Sequence, residues 1–208
     1  MLIELTTHAF VTFLVVIDPI GLGPIFAAMT NGQSDSERRR IAVVGVSVAA
    51  GVLILFALVG PWLLQALNVS LEAFRIAGGV LLFLVAMDML FAKHSGISST
   101  TAVEEREASQ RSDIAVFPLA IPLIAGPGAI ASALLMMTRA EGDLGAQLTV
   151  LGVMLGVLLL VLLALLTSTV LFRLLGVTGT NVVSRVLGML LAALAVQFVI
   201  DGIRQAIG

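Results

Sequence analysis

Six long apolar runs constrain the fold of this chain more than any other feature of its sequence. A membrane-spanning helix needs about 20 predominantly apolar residues, and six segments reach that length. Their predicted boundaries are 5–29, 41–66, 74–92, 114–138, 147–171 and 183–204. The runs are continuous rather than alternating, which argues against the strands of a membrane barrel. The sequence therefore predicts an all-α integral membrane protein with six transmembrane helices.

The composition agrees with this fold class and excludes several functions. Only 12% of the residues are charged, against about 25% in a soluble domain. The few basic residues lie in connections rather than along a stripe, so we expect no nucleic-acid partner. The chain has no cysteine, and the apolar runs hold no pair of nucleophile and base and no metal-binding motif. We therefore predict no enzyme activity, no catalytic residue, no metal site and no resident cofactor.

A helix-breaking motif occurs in the first and the fourth apolar run. Pro19-x-x-x-Gly23-Pro24 recurs as Pro122-x-x-x-Gly126-Pro127, which accounts for four of the six prolines in the chain. Proline removes a backbone donor and clashes with the preceding turn, and within a bilayer the freed backbone groups need other partners. We therefore predict broken helices 1 and 4, with new half-helices that begin at Pro24 and Pro127.

The two motifs belong to an internal repeat. They lie 103 positions apart, and the similarity continues to Arg75-x-x-Gly78 and Arg185-x-x-Gly188. Each half holds three spans, and because three is odd, the second half enters the membrane from the opposite side. The sequence thus predicts a single transmembrane domain over 1–208, built of two inverted three-helix repeats. The repeats cover 1–92 and 114–208, and a linker loop at 93–113 joins them. Such inverted repeats are typical of secondary transporters.

The distribution of basic residues predicts the orientation of this multi-pass protein. Eight of the eleven Lys and Arg residues lie in the connections after spans 1, 3 and 5 or, for Arg185, at the adjoining boundary of span 6. The positive-inside rule places those connections, including the linker loop, in the cytoplasm and both termini outside. Arg75, Arg139 and Arg204 lie on the other side.

Asp18 lies about halfway along the first run. An ionised carboxylate at the bilayer centre costs roughly 2.5–3.5 kcal/mol on insertion scales, so Asp18 should face a cavity, a cation or a proton. It is the candidate for ion or proton coupling, and its position leaves both H⁺ and Na⁺ open.

The helix ends at the two breaks suit a small zwitterion. Half-helices that restart offer N–H groups to a carboxylate, and the half-helices that end near Ile17 and Ile121 offer carbonyls to an ammonium group. The glycines leave little bulk, so the ligand should be small. The predicted substrate-binding residues are Asp18, Pro19, Gly21, Gly23, Pro24, Ile121, Pro122, Ala125, Gly126, Pro127 and Gly128.

Simpler interpretations of the same residues stay open. Asp18 can merely cap the helix that restarts nearby, and Pro/Gly kinks occur in membrane helices without any ligand. Asp88 and Asp201 lie toward the ends of spans 3 and 6, where snorkelling or an ion pair of Asp201 with Arg204 explains them. The alternatives to an uptake transporter are an amino-acid exporter of similar architecture and a non-transporting regulatory or assembly protein.

The two motifs also resemble a known family. Asp18-Pro-Ile-Gly-Leu-Gly-Pro24 and Pro118-Leu-Ala-Ile-Pro-Leu-Ile-Ala-Gly-Pro-Gly128 are similar to those of the MarC family of bacterial and archaeal inner-membrane proteins, and the resemblance covers the whole chain. It implies a location in the inner membrane. Its SnatA-like members are regarded as ion- or proton-coupled transporters of small neutral amino acids such as glycine and alanine. The resemblance therefore implies that substrate class, with the two motifs as the substrate site. The oligomeric state is left open.

Overall fold

The computed structural model describes residues 2–30, 32–91 and 114–207, apart from the side chains of 169–175, 177 and 180. The described part of the chain is built of helices, so the predicted all-α class is confirmed. The predicted linker at 93–113 lies outside the described residues. In chain order the helices are α1 (Leu2–Ile17), α2 (Pro19–Met29), α3 (Asp35–Ala66), α4 (Leu71–Phe91), α5 (Ala115–Ile124), α6 (Pro127–Arg139), α7 (Leu144–Leu166) and α8 (Ser168–Ile207).

These helices supply the predicted number of membrane spans. Five segments are each long and apolar enough to cross a bilayer: Leu2–Met29, Asp35–Ala66, Leu71–Phe91, Leu144–Leu166 and Asn181–Ile207. The sixth is the pair α5 and α6, whose axes are bent by 57° at a short break. The first span is interrupted between α1 and α2, so the breaks fall in the first and fourth spans, as the prolines predicted.

Short polar side chains begin two of the long helices. The Ser34 hydroxyl accepts a hydrogen bond from the Glu37 N–H at 3.3 Å at the start of α3. The Asp143 carboxylate accepts from the N–H groups of Gly145 and Ala146 at the start of α7, at 2.9 and 3.1 Å. Because the first N–H groups of a helix have no partner within it, such caps typically contribute about 1 kcal/mol each.

Glycines let α4 and α8 pack against each other along their length. A Cβ added to Gly79 would lie 2.8 Å from the Ala195 carbonyl oxygen, and one added to Gly188 would lie 3.1 Å from the Ala86 carbonyl oxygen. Contacts this close to the backbone of the neighbouring helix require small residues. The α4–α8 pair is thus held by the approach of the two backbones rather than by large side chains.

The other helices of the two halves interlock around this pair. Helix α3 packs against α5 and α6, and α7 packs against α1 and α2. The largest fully buried side chains, among them Phe13, Phe26 and Phe198, come from both halves of the chain. Both broken spans therefore lie in contact with the opposite half.

Candidate functional site

The first break is a single residue, Asp18. Its backbone has the left-handed conformation, with φ of 49° and ψ of 69°, which Asp tolerates better than most residues. Its carboxylate accepts a hydrogen bond from the N–H of Gly21 at 3.0 Å. Pro19 follows as the first residue of α2, a position where its missing N–H costs nothing. Asp18 is therefore the N-cap of α2.

The predicted restart of this helix at Pro24 is wrong. Helix α2 begins five residues earlier, at Pro19, and Pro24 lies inside it. The Asp–Pro pair forms a complete helix start, because Asp supplies the cap and proline occupies the first turn. Pro24 removes only the donor to the carbonyl of Ile20 and does not end the helix.

Asp18 also reaches across to the other half of the chain. The Ser184 hydroxyl on α8 lies 3.5 Å from the second carboxylate oxygen of Asp18. Sequence reasoning missed Ser184, because nothing in its local pattern distinguishes it from an ordinary serine at the start of a span. The carboxylate thus lies between its own helix and the last span of the chain.

The second break is built differently. Phe117 and Ile121 have extended backbones, and each precedes a proline, which disfavours the helical conformation for the preceding residue. The hydrogen bonds around them span five residues rather than four, as in the bond from the Ala125 N–H to the Ala120 carbonyl at 2.8 Å. Helix α5 consequently has wide, π-type turns.

Helix α6 starts without the side-chain cap that α2 has. Its N-cap is Gly126, and Pro127 is its first residue, so no side chain accepts from its first N–H groups. A Cβ added to Gly128 would lie 3.0 Å from Leu82 and 3.4 Å from Val16. The amino end of α6 therefore lies against α1, two residues before Asp18, which brings the two breaks together.

The remaining predicted site residues differ in exposure. Pro19, Gly23, Ala125 and Gly128 are buried, while Gly21, Pro24, Pro122 and Gly126 are partly exposed. Ile121 and Pro127 are exposed. Their share in a binding site stays a prediction.

A separate polar cluster lies where α6 and α8 end. Arg139 and Asp201 form an ion pair with an N–O distance of 3.4 Å, and Gln197 donates to the other oxygen of Asp201 at 2.7 Å. The guanidinium of Arg139 lies 5.5 Å from the ring centre of Phe198. The expected pairing of Asp201 with Arg204 is therefore wrong, because the end of α6 brings Arg139 closer. Asp88 is the other acid whose role the sequence leaves open. One of its carboxylate oxygens is buried and has no hydrogen-bond partner among the described residues.

The comparison with known families covers nearly the whole chain. Residues 3–207 match the family described as "MarC family integral membrane protein". The chain belongs to the MarC family. Both breaks lie within the matched region, as do the described helices apart from the first residue of α1, so the family assignment that the two motifs suggested is confirmed.

Relatives of this MarC protein occur in archaea and bacteria. The UPF0056 membrane protein MJ1677 of Methanocaldococcus jannaschii is 36% identical over 200 residues, covering 96% of each chain. The UPF0056 membrane protein YvbG of Bacillus subtilis is 32% identical over 204 residues, covering 98% of this chain and 96% of its own. The UPF0056 membrane protein YhcE of Escherichia coli is 33% identical over 202 residues, covering 94% of this chain and 90% of its own. No solved structure is significantly similar to the chain.

Proposed function

We propose that this MarC protein is a secondary transporter of small neutral amino acids, of the glycine and alanine class. The observation that carries the proposal is the meeting of two unlike breaks inside the bundle. One break bears a carboxylate, that of Asp18, and the other presents the uncapped amino end of α6, where Gly128 lies against Val16 of α1. Both lie within apolar spans, where unpaired polar groups are costly and mark functional sites.

The two breaks together suit a zwitterion. The first N–H groups of α6 carry the positive end of a helix dipole and have no side-chain acceptor, so they suit a carboxylate. The Asp18 carboxylate and the last carbonyls of α1 suit an ammonium group or a coupling cation. The roles of the two breaks therefore differ, because Asp18 already occupies the amino end of α2.

Glycines at the breaks are required by the packing of the chain around them. A Cβ at Gly21 would collide with the Asp18 carboxylate, and one at Gly126 would lie 2.5 Å from the Pro122 carbonyl oxygen. Neither position therefore accommodates a side chain without a shift of the break. The substrate class of small neutral amino acids is the one that the resemblance to SnatA-like proteins implies.

Reciprocal packing of α4 and α8 supports the inverted repeat that alternating access requires. Gly79 lies against Ala195 and Val199, and Gly188 lies against Ala86 and Leu90. Each residue of the first contact is 109 positions from its counterpart in the second, with Gly79 matching Gly188. A two-fold axis between α4 and α8 would produce this exchange. Under this symmetry Gly188 corresponds to Gly79. The sequence comparison had aligned Gly188 with Gly78, which is one residue earlier.

A non-transporting membrane protein is the second candidate, and one observation favours it. The hydrogen bond from the Gly21 N–H to Asp18 makes Asp18 a helix cap, which a purely structural break would also need. Transport in the export direction fits the same architecture, because the direction of a secondary transporter follows its ion gradient rather than its helix breaks.

A ligand titration separates a transporter from a non-transporting protein. The purified protein is heated with increasing glycine, alanine, serine, leucine or phenylalanine, with and without Na⁺ and at two pH values. We expect saturable stabilisation by glycine and alanine but not by leucine or phenylalanine, because a ligand that binds only the folded state raises its stability. Absence of stabilisation by every small amino acid under every condition would contradict the proposal.

The substitution Gly126→Ala tests whether transport depends on the geometry of the second break. The new methyl group would press on the Pro122 carbonyl oxygen at 2.5 Å, so the wide turns of α5 must shift. We expect the initial rate of alanine transport to fall at least about tenfold, because misplacing binding groups by about 1 Å costs on the order of 100-fold in rate.

The matched control for Gly126→Ala is Gly156→Ala on α7, where a Cβ meets nothing within 4 Å. Both proteins should elute as single species on size exclusion. Equal transport rates for the two variants would mean that the second break is only a packing kink.

A further inference from the structure

Arg75 is a buried arginine in the part of the bundle where α4 begins and α6 and α8 end. Only 4% of its surface is exposed, and its Nε has no hydrogen-bond partner among the described residues. Arginine stays charged in proteins. A buried guanidinium normally has a paired acid or several acceptors, because an unpaired buried charge costs several kcal/mol. Arg75 therefore lacks the partner that its burial calls for.

No nearby acid pairs with the Arg75 guanidinium in the described part of the chain. Both carboxylate oxygens of Asp201 are engaged, one by Arg139 and one by Gln197. Glu72 lies one turn before Arg75 on α4 and forms no ion pair with it among the described residues. The charge of Arg139 is close enough to Arg75 to repel it. Arg139 thus has a carboxylate partner, whereas Arg75 has none among the described residues.

The position of Arg75 on α4 directs it between α6 and α8. It precedes Gly78 by three residues and Gly79 by four, so all three share one side of the helix. Gly78 lies against Ala131 and Leu135 of α6, and Gly79 lies against α8. Arg75 therefore lies at the junction of α4, α6 and α8, about ten residues along α6 from the amino end that faces Asp18.

Two buried hydroxyl groups lie between this junction and the breaks. Ser132 is one turn after Gly128 on α6, and Thr12 is one turn before Val16 on α1. Because Gly128 lies against Val16 and the two spans run in opposite directions, both residues occupy the same level. Both are at most 1% exposed, and neither hydroxyl has a hydrogen-bond partner in the part of the chain that the structure describes. Unsatisfied polar groups therefore continue from Arg75 toward Asp18.

We propose that Arg75 forms a carboxylate-binding subsite, where a small amino acid docks on its way to or from the breaks. A guanidinium binds a carboxylate through two parallel hydrogen bonds, which would satisfy the unpartnered Nε. The assignment to an amino acid rests on the proposed function, whereas the carboxylate site itself rests on the burial and charge of Arg75.

The test uses the full-length purified protein and four probes: acetate, alanine, alaninamide and chloride. Stabilisation by each probe is measured by thermal shift in the wild-type protein, in Arg75→Gln and in Arg204→Gln. Arg204 is the matched control, since it is an exposed arginine near the end of α8. We expect acetate and alanine to stabilise the wild-type protein and Arg204→Gln, and alaninamide and chloride not to do so. In Arg75→Gln the affinity for acetate should fall about 10- to 100-fold, as for other charged hydrogen bonds.

Each outcome decides a separate claim. An equal response to acetate in the wild-type protein and in Arg75→Gln would overturn the subsite, whether or not alanine is transported. A response to chloride that depends on Arg75, without a response to acetate, would also overturn it in favour of an inorganic anion. A response to acetate that depends on Arg75, in a protein that transports no amino acid, would keep the subsite and overturn the proposed function. If Arg75→Gln does not fold, Arg75→Lys decides: a fivefold or larger loss of acetate affinity supports the subsite, and an unchanged affinity contradicts it.

Discussion

Replacing Asp18 by asparagine should leave the protein folded and abolish ion-driven transport. Asparagine caps helices about as well as aspartate and tolerates the left-handed backbone, so the hydrogen bond from Gly21 should persist. What Asp18→Asn removes is the charge that a coupling proton or cation needs. We expect gradient-driven alanine uptake to fall at least about 100-fold, which corresponds to about 2.7 kcal/mol, while the melting temperature changes little.

Asp143→Asn is the matched control for this substitution. Asp143 is also an aspartate that caps a transmembrane helix through backbone N–H groups, but it lies outside the breaks. If Asp18 is only a cap, the two variants should behave alike in both transport and stability. Loss of uptake in Asp18→Asn alone assigns coupling to Asp18, and normal uptake in both variants removes that assignment.

Replacing Gly79 by valine should destabilise the bundle strongly. A Cβ at this position lies 2.8 Å from the Ala195 carbonyl oxygen and 3.1 Å from the Val199 backbone nitrogen. Backbone atoms cannot rotate out of the way, so α4 and α8 must separate. Overpacking of this kind typically costs about 1–3 kcal/mol. The slightly better helix propensity of valine relative to glycine offsets only a small part of this cost. The expected result is a melting temperature several degrees below that of the wild-type protein.

The control for Gly79→Val is Gly152→Val on α7, where a Cβ meets nothing within 4 Å. It makes the same change in helix propensity without the clash, so its melting temperature should stay near that of the wild-type protein. Gly188→Val should resemble Gly79→Val, because the two glycines make matching contacts across the α4–α8 pair. A large difference between these two variants would argue against a two-fold relation of the halves.

The spans and the places of the breaks were predictable from the sequence, because hydropathy and proline report directly on local structure. Six apolar runs corresponded to six spans, and the prolines marked the two spans that are broken. The residue at which the first broken helix restarts could also have been predicted from the sequence. Asp18–Pro19 has the cap and first-turn residues of a helix start, but the more prominent Gly23–Pro24 pair drew the boundary five residues too late.

The contacts between distant helices were not predictable, because they depend on packing rather than on local pattern. Gly78 and Gly79 are adjacent glycines, and only the structure shows that Gly79 rather than Gly78 packs against the backbone of α8. Ser184 carries no local signal of its contact with Asp18. Likewise, an arginine near the end of a span is usually interpreted as a boundary residue, whereas Arg75 is buried within the bundle.

The central claim is that the chain moves small amino acids across a membrane, and uptake into liposomes tests it most directly. Purified protein is reconstituted, and radiolabelled alanine is offered outside under an inward H⁺ gradient, an inward Na⁺ gradient or no gradient. We expect alanine to accumulate above its outside concentration under one of the two gradients, and glycine to compete with it. Protein-free liposomes should show no accumulation. Equal alanine levels with and without protein under all three conditions would contradict the central claim.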